Sequence, residues 1–214
     1  MIEIISRGVS ASGTRVALFD FDGTLSTLRS GWMDVMVPMM VELLSDTNSG
    51  ESDSQLQAVV EEFVGRLTGK QTMYQMIELV DNIATRGGKP LDPLEYKQMF
   101  LDRLWNRIGY RIEELRTGKC SPEKYLVPGS RELLESLTER GYKMYLASGT
   151  DDAYVQNEAK LLDVHRFFLG VHGALDDYKS FSKAILIQRI ISSAEFAGHE
   201  FLGFGDGYVE IENV

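Results

Sequence analysis

A short apolar run, Val16–Phe19, stops abruptly at the acidic turn Asp20-Phe21-Asp22-Gly23. An uninterrupted apolar run that ends in a glycine-containing turn is typical of a strand buried on both faces, as in a parallel sheet. Side chains two positions apart in an extended segment point to the same side, so Asp20 and Asp22 are expected to lie together. This feature predicts a buried strand that ends in a pair of carboxylates.

Strand and helix patterns alternate through residues 128–207. We expect, in order, a helix with Ser130 as N-cap that ends at Gly141, a strand over 143–147, a helix over about 152–162, a strand over 167–171, a helix capped by Ser182, and a strand over 201–204. Such alternation favours a parallel sheet with right-handed crossover connections. The predicted fold class is therefore α/β, with a Rossmann-like parallel sheet as its core.

The stretch 29–125 has a different pattern, in which helical periodicity dominates and strand periodicity is absent. Helices are predicted over 32–44, 56–67, 72–84 and 94–115. The simplest arrangement is an all-helical domain of residues 29–125 inserted into an α/β core of residues 1–28 and 126–214. Four methionines at helical spacing are interpreted as core packing rather than as a binding surface: Met33, Met36, Met39 and Met40.

Charge and cysteine content narrow the classes of partner. The formal net charge is −10, from 22 basic and 32 acidic residues, so nucleic acid and anionic membranes are poor partners. Cys120 is the single cysteine and forms neither an internal disulfide nor a multi-cysteine metal site. The sequence has no apolar run of spanning length and no signal-peptide pattern, so the expected location is the cytoplasm.

Polar side chains follow three of the predicted strands: Asp20 and Asp22 after the first, Ser148 after the second, and Asp206 after the last. The carboxyl ends of parallel strands meet at one edge of the sheet, where ligands bind. Close carboxylates repel unless a cation shares them, and Mg²⁺ prefers oxygen ligands in a shell completed by water and phosphate oxygens. The sequence therefore predicts a Mg²⁺ and phosphate site at this edge.

Two glycines, a serine and a lysine are expected to complete the phosphate site. Gly23 has no Cβ and would let backbone N–H groups approach an anion closely. Ser148 and the N–H of Gly149 can donate to the equatorial oxygens of a transferring phosphoryl group. Lys183 begins a predicted helix and would add its charge to the helix dipole, and for that reason we prefer it to its rival, Lys179.

The run Asp20-Phe21-Asp22-Gly23-Thr24-Leu25 resembles the first signature motif of the haloacid dehalogenase-like superfamily. Three later features are similar to the second, third and fourth motifs, in the family's order: Ser148, Lys183, and Gly205-Asp206-Gly207 with Glu210. The resemblance covers the whole chain, and the helical stretch lies where the family inserts its cap domain. It implies an α/β core with an inserted all-helical cap.

The resemblance also implies roles for single residues. Asp20 would be the nucleophile that forms an aspartyl-phosphate, and Asp22 would protonate the leaving oxygen and then activate water. Asp20, Asp206 and the backbone carbonyl of Asp22 would hold Mg²⁺. Glu210 stands where the family commonly has aspartate, and its metal role is direct, through water, or merely structural. Thr24 is placed with Gly23 among the substrate-binding residues.

A Mg²⁺-dependent phosphatase acting on a small phosphorylated metabolite is the leading function. A sugar phosphomutase of the same superfamily is the alternative, and the motifs do not separate the two. A receiver-like phosphoacceptor module is a rival from a different class, and Asp22 and the insert count against it. Asp22 also argues against dehalogenation, which does not need a second aspartate.

Substrate choice is assigned to the helical insert. Arg29 and Trp32 begin it near the expected mouth of the site, and a loop at Gly69-Lys70 is expected to lie over that site. Arg29 and Lys70 are therefore predicted to bind substrate, with a solvated loop charge as the alternative for Lys70. A cap that closes over the core favours small metabolites over phosphoproteins.

The resemblance also leads us to expect a further helix and strand after the fourth motif, whereas the sequence ends at Val214. Without them, Phe201–Phe204 would form an exposed apolar edge of the sheet, which invites pairing or aggregation. We therefore expect these residues to be part of a longer chain, with coverage of the edge by a partner chain as the alternative.

Overall fold

The computed structural model describes residues 11–175, 183–193 and 198–207. Four parallel strands form one sheet within these residues, in the order β3-β2-β1-β4. Their bounds are β1 Val16–Phe19, β2 Lys143–Asp151, β3 Gly170–Ala174 and β4 Phe201–Phe204. The α/β class and the parallel sheet are thus confirmed.

Seven helices accompany the sheet in the described residues. Four of them follow β1 within residues 33–116: α1 Met33–Ser45, α2 Asp53–Arg66, α3 Thr72–Thr85 and α4 Pro93–Arg116. The others are α5 Ser130–Glu139, α6 Asp152–Leu161 and α7 Lys183–Ser193. We refer to residues 29–125, which hold α1–α4, as the helical insert. No helix in the described part of the chain is long and apolar enough to cross a membrane.

Strand β1 lies in the middle of the sheet and is buried on both faces. Ala17 and Phe19 pack in a cluster with side chains of α5 and α6, whereas Val16 and Leu18 pack with side chains of α7. All four strand residues are at most 1% exposed. Continuous burial explains why this strand is uniformly apolar rather than alternating.

The helical insert has its own apolar core, formed by side chains of all four helices, such as Met40, Phe63, Met76 and Ile108. Capping boxes begin two of its helices, at Ser52 for α2 and at Asp92 for α4. These caps satisfy backbone N–H groups that the first helical turn leaves without partners. The insert therefore folds around its own core, while its boundaries as a domain stay a prediction.

Three details differ from expectation. Ser130 is the first residue of α5 and not its cap, because Gly129 at φ +87° makes the turn that enters the helix. Strand β2 continues to Asp151, with an irregular register between Ala147 and Asp151. The third strand begins at Gly170, since residues 165–167 form a 3₁₀ turn. Lys179, Ser182 and Glu210 lie outside the described residues.

Candidate active site

A cavity of about 100 Å³ lies between the carboxyl edge of the sheet and the helical insert. Its lining from the sheet side consists of Asp20, Asp22, Ser148, Gly149, Thr150 and Asp206. Its lining from the insert consists of Arg29, Trp32, Met36, Thr68, Gly69, Lys70, Thr72, Gln75, Phe100 and Leu104. Polar residues that follow three separate strands therefore meet the insert at one cavity.

Asp20 and Asp206 approach the cavity from neighbouring strands. Asp20 is 5% exposed, and its N–H donates to the carbonyl of Phe204 at 2.8 Å, which ties the end of β1 to β4. A Cβ on Gly23 would collide with the carboxylate of Asp206. Because Gly23 also has φ +83°, glycine is required here both for backbone conformation and for space.

The role of Gly23 in letting backbone N–H groups approach an anion stays a prediction. The N–H of Gly23 itself donates to the carbonyl of Ser26 at 2.9 Å, inside the turn that follows β1. Thr24 lines a second cavity together with Gly23 and Ser130, outside the one that contains Asp20, and its role in substrate binding stays a prediction.

Asp22 is held by a residue that the sequence reasoning did not single out. The hydroxyl of Thr150 donates to Asp22 Oδ2 at 2.7 Å, while Asp22 Oδ1 is buried without a hydrogen-bond partner. Burial raises the pKa of Asp22 to about 7, although Arg29 and the Thr150 hydroxyl oppose the rise. One oxygen of Asp22 is thus fixed and the other is left for a ligand. The only signal for Thr150 was its position two residues after Ser148.

The irregular end of β2 presents Ser148 and Gly149 to the cavity. Ser148 is 2% exposed, and its hydroxyl accepts from the N–H of Thr150 at 3.1 Å. A Cβ on Gly149 would lie 2.7 Å from the carbonyl oxygen of Lys70, so the insert loop packs directly on this glycine. An irregularity in a strand re-aims side chains beside a site, and here it brings Ser148 and Thr150 to the same cavity.

Arg29 is occupied by a partner within the protein. Its Nη2 and Nε donate to Glu158 at 2.6 and 3.2 Å, and its guanidinium lies 5.0 Å from the ring centre of Tyr154. Both partners lie on α6, and Arg29 and Glu158 are 6% and 0% exposed. Burial alone would lower the pKa of Arg29, but the charge and hydrogen bonds of Glu158 raise it. Arg29 lines the cavity as one half of a buried ion pair, and its role in substrate binding stays a prediction.

The two predicted lysines, Lys70 and Lys183, lie in different parts of the structure. Lys70 contributes to the cavity lining from the insert loop, but it is an exposed residue. Lys183 is the first residue of α7, as the helix-start argument requires, and the apolar face of that helix packs against the sheet. The roles of both lysines as ligands stay predictions.

The acidic residues of the cavity are compatible with Mg²⁺. The described residues contain no cluster of three or more His, Cys, Asp or Glu side chains suited to a metal. Of the predicted carboxylate ligands, Asp20 and Asp206 line the cavity, and Glu210 lies outside the described residues. Mg²⁺ keeps several waters and commonly takes only one or two protein carboxylates beside phosphate oxygens. Two carboxylates and the backbone carbonyl of Asp22 fit that requirement.

The insert side of the cavity was largely missed by sequence reasoning. Trp32, placed near the mouth from its position, does line the cavity, but Gln75, Phe100 and Leu104 were not identified. Met36 was interpreted as core packing, and it both belongs to the insert core and lines the cavity. Apolar residues on amphipathic helices give no sequence signal that separates a cavity wall from a core.

Comparison with known proteins places this geometry in a family. A family model described as haloacid dehalogenase-like hydrolase matches residues 14–212. A 5'-nucleotidase from Pseudomonas aeruginosa is 29% identical over 105 residues. That match covers 49% of this chain and 47% of the relative, so the chain spans about half the length of the curated relative it matches.

Solved structures share the fold at low sequence identity. A predicted phosphoglycolate phosphatase from Haemophilus somnus has a TM-score of 0.56 and 17% identity, over 95% of this chain and 81% of its own. A hydrolase of the same family from Bacillus subtilis, solved bound to magnesium, has a TM-score of 0.52 and 14% identity, over 92% of this chain and 82% of its own. At these identities the likeness concerns the fold alone.

Proposed function

This chain belongs to the haloacid dehalogenase-like hydrolase family, and we propose that it is a Mg²⁺-dependent phosphatase that forms an aspartyl-phosphate on Asp20. One observation carries the proposal. Asp20 and Asp22 line the same cavity, while Thr150 holds one oxygen of Asp22 and the other oxygen has no partner. A nucleophile beside an acid with one oxygen left for a ligand is the arrangement that covalent phosphoryl transfer requires.

The first step forms a bond between a carboxylate oxygen of Asp20 and phosphorus and breaks the bond from phosphorus to the leaving oxygen. Protonated Asp22 gives its proton to that oxygen, so the leaving group departs as a neutral alcohol. In the second step Asp22, now ionised, takes a proton from water. The oxygen of that water attacks phosphorus, which releases inorganic phosphate and regenerates Asp20.

Other residues would neutralise and position the phosphoryl group. Mg²⁺, when held by Asp20, Asp206 and the carbonyl of Asp22, supplies positive charge to the phosphoryl oxygens. Ser148 and the N–H of Gly149 are proposed as donors to the same oxygens, and Lys183 as a fixed positive charge. Without such charge, a phosphate dianion would be repelled by the carboxylates in the cavity.

The helical insert is proposed to act as a cap. Its loop at 68–70 packs against Gly149, and a Cβ on Gly207 would lie 3.7 Å from the Cα of Gly69. The insert thereby covers the carboxyl edge of the sheet and limits the cavity to about 100 Å³. A covered site of this size favours small phosphorylated metabolites, and the 5'-nucleotidase and phosphoglycolate phosphatase similarities support a phosphatase.

The decisive experiment combines turnover with trapping. Purified protein is assayed for phosphate release from a panel of phosphorylated metabolites, with Mg²⁺ and with a chelator. We expect Mg²⁺-dependent release, and accumulation in Asp22→Asn of a phosphoryl group that peptide mass spectrometry locates at Asp20. Multiple-turnover release of inorganic phosphate separates a phosphatase from a phosphomutase or a phosphoacceptor module. Absence of release from every ester, or a phosphoryl group on another residue, would refute the proposal.

A further inference from the structure

Part of the insert side of the cavity is formed by four apolar side chains. Met36 comes from α1, and Phe100 and Leu104 come from one face of α4 at a spacing of four residues. These three are 1%, 3% and 2% exposed, and Trp32 joins them at the start of α1. This surface, which we call the apolar wall, offers a substrate dispersion contacts and no charge.

Three neutral polar side chains also line the insert side, Thr68, Thr72 and Gln75, and Gln75 is the most buried of them. Gln75 lies on α3, lines the cavity and is 3% exposed. Its side-chain amide forms no hydrogen bond with any part of the chain that the structure describes. The amide atoms of Gln75 are not among the fully buried side-chain atoms that lack a partner, so they are accessible from the cavity. Gln75 therefore offers a donor and an acceptor to a molecule in the cavity.

The cations near this surface are already engaged or exposed. Arg29 donates two hydrogen bonds to Glu158. Lys97 of α4 is 7% exposed and donates a hydrogen bond to Asp151 at 2.6 Å. Lys70 is an exposed residue. A carboxylate placed against the apolar wall would lose its hydration without gaining a dedicated cation.

Building on the phosphatase activity proposed above, we propose that the insert side of the cavity selects a neutral leaving group. An apolar segment of that group packs on the apolar wall, and an amide or similar donor–acceptor group pairs with the carboxamide of Gln75. Leaving groups that end in a carboxylate are disfavoured. The sheet side handles the phosphoryl group in every substrate, so only the remainder of the molecule is discriminated.

Matched substrates test the inference. Phosphate monoesters of hydroxy acids of increasing chain length are compared with the primary amides of the same acids, which differ in charge and hardly in size. We expect the kcat/KM of the best amide ester to exceed that of the matching carboxylate ester by about tenfold or more, because the bound carboxylate would be a buried charge without a partner. Hydrolysis of p-nitrophenyl phosphate is measured in parallel as a test of the chemistry alone.

A variant identifies the residue responsible. Gln75→Leu has a similar size and removes the unpaired amide, and we expect it to lower the amide-to-carboxylate ratio by about tenfold. Gln75→Ala repeats the test should the leucine variant fail to fold. The matched control is Gln98→Leu on α4, an exposed glutamine outside the cavity, which should leave the ratio unchanged.

Failure of the inference and failure of the phosphatase proposal give different results. Hydrolysis of p-nitrophenyl phosphate together with an equal or greater kcat/KM for the carboxylate esters would overturn the inference alone. An unchanged amide-to-carboxylate ratio of kcat/KM in both Gln75 variants would contradict the proposed pairing of the leaving group with Gln75. No hydrolysis of p-nitrophenyl phosphate or of any ester in the series would overturn the phosphatase proposal and this inference together.

Discussion

The two sides of the cavity are built in contrasting ways. The sheet side consists of the turns after β1 and β4 and the irregular end of β2, and its residues are acidic, hydroxylic or glycine. The insert side consists of side chains from α1, α3, α4 and one loop, and most of those are apolar or neutral. Under the proposed function, the sheet side carries out a reaction common to many substrates, whereas the insert side distinguishes among them.

Backbone contacts also separate the two sides. The sheet side is fixed by strand register, as when the N–H of Asp20 donates to the carbonyl of Phe204. The insert meets the sheet through close backbone packing at Gly149 and through side-chain pairs such as Arg29 with Glu158. Changes on the sheet side should therefore affect chemistry, and changes at the junction should affect stability or substrate binding.

Asp20→Asn should have the largest effect. An amide does not act as the nucleophile, so we expect phosphate release to fall by about 10⁴-fold or more. The fold should survive, because Asn retains the shape of the side chain, and circular dichroism and the thermal midpoint check this. Asp81→Asn, at an exposed aspartate of α3, is the control and should keep full activity. Substantial turnover by Asp20→Asn would mean that another group is the nucleophile.

Asp22→Asn should come next, with a loss that depends on the leaving group. General acid–base catalysis contributes about 10²–10⁴-fold, so an alkyl phosphate should lose roughly that factor. An aryl phosphate with a good leaving group needs no proton in the first step and should still phosphorylate Asp20. The measurement is steady-state turnover of both esters beside a burst of released phenol. Equal losses for both in the first step would contradict an acid role for Asp22.

Glu158→Leu should destabilise the junction between the insert and the sheet side. It leaves Arg29 charged and buried, and breaking a buried pair costs about 3–5 kcal/mol in the free energy of unfolding. The double variant Arg29→Met with Glu158→Leu should recover most of that loss, which denaturant titration measures. As a control, Glu42→Leu breaks an exposed pair with Arg103 and should leave stability nearly unchanged. If the double variant is as unstable as the single one, the unpaired charge is not the cause.

Gly149→Ala should have the smallest effect, and it should change how closely the insert loop packs against the end of β2. The added Cβ would meet the carbonyl of Lys70 and displace the loop at 68–70 by a fraction of an ångström. We expect kcat/KM to fall by about ten- to a hundredfold with the fold intact. Gly65→Ala, in α2 with open space around its Cβ, is the control and should stabilise the helix by about 0.5–1 kcal/mol. Unchanged kinetics in Gly149→Ala would show that the loop yields without consequence.

The order of elements could be predicted from the sequence because it depends on local patterns. Strand β1 has the predicted bounds, and the helices of the insert begin and end within a few residues of expectation. The errors at Ser130 and at the start of β3 arise where a turn, rather than a periodic pattern, sets the boundary. Turn geometry depends on a few backbone angles, which composition constrains only weakly.

The sequence by itself determined the acidic strand end, the alternation that makes a parallel sheet, and hence the meeting of Asp20, Ser148 and Asp206 at one edge. Only the tertiary structure decided which groups they face. Thr150 and Asp22 are 128 positions apart, and Arg29 and Glu158 are 129 apart, so no local pattern connects them. The apolar wall is likewise a product of helix packing. The order of helices and strands along the chain follows from short-range periodicity. Contacts across the cavity depend instead on how the core of the insert and the core around the sheet pack against each other.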